Sequence, residues 1–249
     1  MSTSPLLNFD GEFYSGRFLV AATACFLVLQ LVAERLSWRW QFARRCAPVD
    51  ASCYGFASGL AAVLAVYELY QSGYASLDAD LRSLVCGQLP RASGVDTVLA
   101  LYYLSKFAEF RDIMLCILNG FPINPHFRWH HLTTPSLAWV MLHGRAAHAA
   151  PFIVANLVMH FFLCLYLGGH RTRIFFLATR VIGHVQLLIG IAGTLAALWL
   201  PDCARGDGRG ELWLLFLYTS YFVLFQLEIR DDAKQAMKLN KADKAIREE

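Results

Sequence analysis

Apolar residues run along this chain in long blocks rather than in strict alternation. Seven blocks approach the ~20 residues that a bilayer-crossing helix needs: about 17–34, 54–71, 97–118, 124–143, 149–168, 174–200 and 211–229. The fourth reaches that length only by taking in a cluster of histidines. The gaps are short, the longest about 25 residues. The pattern therefore predicts an all-α integral membrane protein, with residues 1–249 as a single seven-span domain and a charged tail at 230–249.

Composition agrees. Hydrophobic residues make up 57% of the chain and charged residues 16%, with a mean hydropathy of +0.42. That is too few charges for a soluble domain of this size. The opening, "MSTSPLLNFDGEF", is polar and the first apolar block lacks a small-residue cleavage site, so that block reads as a signal anchor. Lys and Arg placement sets the orientation. With seven spans, fourteen share one side: Arg35, Arg39, Arg44, Arg45, Arg128, Arg171, Arg173, Arg180, Arg230, Lys234, Lys238, Lys241, Lys244 and Arg247. Six fall on the other: Arg17, Arg82, Arg91, Arg145, Arg205 and Arg209. This bias puts the N-terminus outside or in a lumen and the C-terminus in the cytosol. The net charge of +3 is thus a topology signal and implies no nucleic-acid partner. Cys86 and Cys203 fall in loops on the outer, oxidising side, where a disulfide between them is possible. The other cysteines read as small apolar residues within helices.

The polar residues inside the blocks are concentrated. All eight histidines lie between His126 and His184. An ionisable side chain at mid-span costs ~2.5–3.5 kcal/mol on insertion scales, so it usually faces a protein interior and has a role. In the third block, Lys106, Glu109 and Asp112 follow i, i+3, i+6 spacing and share one helical face, while Arg111 points elsewhere. In the fourth, Asn124-Pro125 reads as an N-cap followed by proline at the first helical position. His126 and His130 are one turn apart, His131 is rotated by ~100°, and Pro135 should kink the helix four residues on. In the fifth, Asn156 and His160 share a face at i, i+4, a spacing that lets the amide hold the ring in one tautomer. These positions describe either a buried network that holds helices together or the wall of a substrate cavity.

The stretches "YYLSKFAEFRD", "FRWHH", "NLVMH" and "YTSYFVLF", in this order and spacing, resemble the ELO family of fatty acid elongases over about Val98 to Arg230. The K-x-x-E-x-x-D element falls on Lys106, Glu109 and Asp112. The histidine box falls on Phe127 to His131, and the N-x-x-x-H element on Asn156 and His160. Tyr166 and Gln186 match a later tyrosine and a sixth-span glutamine. Departures mark a divergent member. Phe127 stands at the first box histidine, Ile113 replaces a threonine, and Leu163, Cys164 and Leu167 replace a Met and two Tyr. Gly183 and Ile189 stand where threonine and glutamine are common.

The resemblance implies a multi-pass endoplasmic reticulum enzyme, an acyltransferase. In it, six of seven helices form a barrel around an acyl tunnel. It condenses malonyl-CoA with a fatty acyl-CoA and needs no cofactor or metal beyond these substrates. Catalytic roles would fall on His130, His131, His160, Asn156, Lys106, Asp112 and Gln186. Substrate binding would fall on Glu109, Arg128, Tyr166, Arg171, Arg173, Arg180 and Tyr221. His130 would take the acyl group, with His160, Cys116 or Cys164 as other candidate nucleophiles. No nucleotide-binding motif is present, so a ketoacyl-CoA reductase, a dehydratase and an enoyl-CoA reductase would be separate partners beside the bilayer. A homodimer is left open. Two other readings stay open. His126-x-x-x-His130-His131 resembles one histidine box of a di-iron membrane desaturase or hydroxylase, although such enzymes need about three clusters. A seven-helix receptor or transporter would use the same polar residues to line a ligand path.

Overall fold

The structure is a computed structural model, and it describes residues 14–35, 41–74, 81–200, 203 and 208–248. Arg39 and Arg205 lie outside the described residues, as do the side chains of Arg44, Arg45 and the tail beyond Lys234. The described residues form nine helices: α1 (Gly16–Arg35), α2 (Gln41–Gln71), α3 (Leu81–Cys86), α4 (Ser93–Ala108), α5 (Phe110–Asn119), α6 (Pro125–Gly144), α7 (Ala149–Leu167), α8 (Arg173–Trp199) and α9 (Arg209–Glu248).

Five helical stretches are long and apolar enough to cross a membrane: Gly16–Arg35, Ala47–Gln71, Ala149–Leu167, Arg173–Trp199 and Arg209–Asp231. The other two predicted spans differ for identifiable reasons. The third is divided at Glu109 into α4 and α5, each too short to cross alone. The fourth, α6, is 20 residues long but carries Arg128 and its histidines. The helix continues through Pro135.

Local chemistry sets the helix ends. Asn124 caps α6, its side-chain oxygen accepting from the Phe127 amide at 2.6 Å, with Pro125 in the first turn. Thr172 caps α8 in the same way through Phe175 N–H. Gly120 closes α5 in the left-handed region, φ 73°, a conformation that costs glycine nothing.

The main core is built from α2, α4, α6, α7, α8 and α9, with Tyr103, Leu137, Met141, Leu217 and Tyr218 nearly inaccessible. In it α2 packs on α7, α7 on α8, α8 on α9, α9 on α6, α6 on α4 and α4 on α2. Helix α1 packs instead on α5 and α6. Its Phe26 stacks on Phe110 at 4.0 Å between centroids, in a smaller core with Ala33, Ile113 and Ile117. Outward faces stay apolar: Val28, Phe56, Leu60, Val181 and Phe216 are all exposed. A water-facing surface would not be built this way, and hydrocarbon accommodates it without cost.

At one end of the molecule a disulfide joins Cys86 to Cys203. Beside it the 87–92 loop is fastened to the turn after α6. Leu89 N–H donates to the Arg145 carbonyl and Ala147 N–H to the Gly87 carbonyl, while the Arg145 guanidinium meets Asp96 and the Pro90 carbonyl.

Candidate active site

The opposite half is hollow. A cavity of about 770 Å³ opens among the early turns of α2 and α8, the late turns of α7, the middle of α9, and parts of α5 and α6. That volume lies in the range of small-molecule sites.

Its inner wall rests on a buried ion pair. Lys106 Nζ lies 2.6 Å from Glu109 Oε1, with both side chains nearly inaccessible. Lys106 also donates to Asn156 Oδ1 at 2.8 Å, and Asn156 Nδ2 donates to Gln186 Oε1 at 3.1 Å. One chain of hydrogen bonds therefore ties α4, α7 and α8 together. Tyr54 from α2 donates to Glu109 Oε1 at 3.0 Å. Two charges in so dry a place are tolerable only as a pair, and here Glu109 Oε1 takes both Lys106 and Tyr54 while Oε2 has no hydrogen-bond partner.

Glu109 also faces two histidines. His160 Nε2 is 3.4 Å from Oε1 and His131 Nδ1 is 3.9 Å from Oε2. The break between α4 and α5 turns the Glu109 carbonyl toward His131, whose Nδ1 meets it at 3.1 Å. A carbonyl only accepts, so Nδ1 carries the hydrogen and, in a neutral ring, Nε2 is the basic nitrogen. Neither nitrogen of His160 has a hydrogen-bond partner, and the residue is buried. His130 packs 4.9 Å from the Tyr221 ring and 5.3 Å from that of His131. Tyr221 is itself fixed by a 2.7 Å hydrogen bond with Thr133.

The cavity lining carries both charge signs. Arg111, Arg171 and Arg180 are cationic, and Asp50, Asp112 and Glu228 are acidic. Arg111 bonds Asp50 at 2.9 Å. Glu228 receives His126 at 2.6 Å and Asn124 at 3.1 Å, joining the start of α6 to α9. Ligand atoms of Glu109, His130 and His131 lie within 4.8 Å of one another, so these three could hold a metal ion. The Lys106 ammonium on Glu109 opposes a second cation there.

A family model, the GNS1/SUR4 family (ELO), matches residues 15–228. The chain belongs to the ELO family. A search of curated proteins gives no match. ELO membership supports fatty acid elongation in general, and with the apolar helices it marks a multi-pass membrane protein.

Against the ELO motifs, the structure brings most of the expected residues together and moves some aside. His130, His131, His160, Gln186, Asp112, Tyr166, Arg171, Arg180 and Tyr221 all line the cavity. Lys106, Glu109 and Asn156 stand behind the lining, so Glu109 braces the wall rather than facing a ligand. Asp112 is not part of the Lys106–Glu109 ion pair. It sits 3.5 Å from Arg111 and lines the cavity, whereas Lys106 and Glu109 do not. Asn156 does not orient His160, since its oxygen and nitrogen are taken by Lys106 and Gln186. Arg128 turns out to α1, 2.7 Å from Glu34, and Arg173, at the start of α8, is exposed outside the lining.

Tyr54, Asp50 and Glu228 are contributors that the sequence reading passed over. Glu228 had a usable signal, an acidic residue closing an apolar block. Tyr54 had none, because its partner is 55 positions away.

Proposed function

We propose that this chain is a fatty acid elongase, a 3-ketoacyl-CoA synthase that condenses malonyl-CoA with a fatty acyl-CoA to give 3-ketoacyl-CoA, CoA and CO2. The observation that carries the reading is that two ELO-motif histidines, His130 of the box and His160 of the N-x-x-x-H element, line one cavity, with His160 buried and its Nδ1 without a partner. Buried polar atoms normally find partners, so a substrate is their natural complement.

In the proposed reaction a His130 nitrogen attacks the acyl-CoA carbonyl. The C–N bond forms, the C–S bond breaks, and CoA leaves as thiolate and takes the proton the imidazole gives up. His131, with Nδ1–H held by the Glu109 carbonyl, offers Nε2 to carry that proton. Malonyl-CoA then loses CO2, and the electron pair of the broken C–C bond attacks the acyl carbon and expels His130, which takes up one proton from solvent, the proton the net condensation consumes. His160 and Gln186 donate to the developing oxyanion, an interaction worth ~2.7–4 kcal/mol per well-placed donor. Arg111, Arg171 and Arg180 meet the phosphates of CoA.

The proposed setting is a seven-span protein of the endoplasmic reticulum membrane. α4–α5 act as one span, α6 as another, and six spans surround the site with α1 outside. The N-terminus would be lumenal and the C-terminus cytosolic. The Cys86–Cys203 disulfide, at the end away from the cavity, supports that orientation, because disulfides persist on the oxidising side. A separate ketoreductase, dehydratase and enoyl reductase would complete the cycle.

The test is detergent-purified protein with radiolabelled malonyl-CoA and acyl-CoAs from short to very long. CO2 and 3-ketoacyl-CoA are measured beside His130→Ala and His160→Ala. Product from the wild type and none from either variant is expected. A His130→Ala protein at full turnover would remove His130 as the acyl carrier. The Glu109–His130–His131 grouping is what a second reading, a di-iron membrane desaturase or hydroxylase, would rest on, with the Lys106 ammonium standing against it. Stoichiometric iron in protein that forms no ketoacyl product would establish it.

A further inference from the structure

The cavity ends partway through the helices. Its lining reaches His131 on α6, Met159 on α7, Leu187 on α8 and Tyr221 on α9. Further in, the helices are packed: Gly190 and Tyr218 are buried one turn beyond, and Leu137 and Phe152 about two turns beyond. Tyr218 is fully buried, one turn or ~5 Å along α9 from Tyr221. Its ring lies 4.7 Å from that of Phe152. It presses so closely on α8 that a Cβ at Gly190 would stand 2.8 Å from two ring atoms. No larger residue at 190 leaves the ring where it is. The Tyr218 hydroxyl has no hydrogen-bond partner, so packing alone keeps the ring in place. Phenylalanine would fill the same space.

Resting on the elongase reading above, we propose that Tyr218 is the stop of the acyl site, and that this chain takes short and medium acyl-CoAs in preference to very long ones. An acyl group carried on His130, beside Tyr221, has the cavity mouth on one side, where CoA must lie. On the other side it meets the Tyr218 ring within about one helical turn. Each further methylene then either displaces a close-packed ring or stays outside, and cores resist added volume.

The experiment is the condensation assay across acyl lengths on the wild type, Tyr218→Phe and Tyr218→Ala. The wild type should lose activity as the acyl chain lengthens. Tyr218→Phe should keep that profile, and Tyr218→Ala should raise the ratio of long-chain to short-chain turnover by about tenfold or more, the scale set by methylenes in a shaped pocket. If Tyr218→Ala does not yield folded protein, Phe152→Ala, which removes the surface the ring leans on, carries the same expectation. A wild type that elongates very long acyl-CoAs as well as short ones overturns the proposal. So does an active, folded alanine variant with the wild-type profile. No product from the wild type at any length would overturn the condensation reading and this inference with it.

Discussion

The two halves of this molecule use the same helices in opposite ways. At the disulfide end, α4, α6, α7 and α9 meet through Tyr103, Leu137, Met141, Phe152 and Leu217, and the space between them is filled. Turns there are tied by backbone hydrogen bonds and by Arg145. At the other end α6, α7 and α9, with α2, α5 and α8, stand around a cavity of about 770 Å³, and Lys106, Glu109, Asn156 and Gln186 hold the wall. Apolar packing is non-directional and closes any space it can. A hollow therefore needs directional contacts between its walls, and the buried polar chain supplies them.

The largest effect should come from breaking that chain. Lys106→Met leaves Glu109 charged, dry and unpaired, which costs about 3–5 kcal/mol. Thermal unfolding in detergent should show a much less stable protein without turnover. The double variant Lys106→Met/Glu109→Leu should recover most of the stability and none of the activity, since a buried pair replaced by apolar residues of similar size is often neutral.

Next in size is the packed half. Cys86→Ser or Cys203→Ser should lower stability by about 2–4 kcal/mol, because the bridge spans 117 positions of chain. Turnover at low temperature should persist, as the site lies at the other end. A loss of activity equal to that of Lys106→Met would erase the proposed distinction between the halves.

Smaller again is Asn124→Ala at the α6 cap, expected to cost about 1 kcal/mol. The Asn124–Glu228 contact goes with it, so activity should fall more than stability. The smallest is Arg128→Ala. Its bond to Glu34 is partly exposed, and such pairs contribute about 0–1 kcal/mol. Unchanged affinity for CoA substrates, measured as KM, would match its position outside the cavity. A tenfold rise would return Arg128 to the binding site.

Several features of the site are legible along the chain because they depend on near neighbours. The Asn124-Pro125 cap and the i, i+3 ion pair of Lys106 and Glu109 are set within one helical turn. The Asn156 amide shows the limit. Its spacing points to His160, but the structure gives it to Lys106, 50 positions away, because a buried ammonium attracts an amide oxygen more strongly than an imidazole does. Arg128 shows the same limit. It lies inside the histidine box by sequence and outside the cavity in space, since α1 brings Glu34 to it.

The sequence by itself determined the membrane character, the helical class, the family and the short list of chemical residues. Each follows from composition, from apolar block length, or from motifs a few residues wide. Only the tertiary structure decided which of those residues line the cavity and which stand behind it, and that the Tyr218 ring is packed between Phe152 and Gly190. Those outcomes depend on which helix faces which and at what rotation, and helix rotation is settled by packing between segments far apart in the chain.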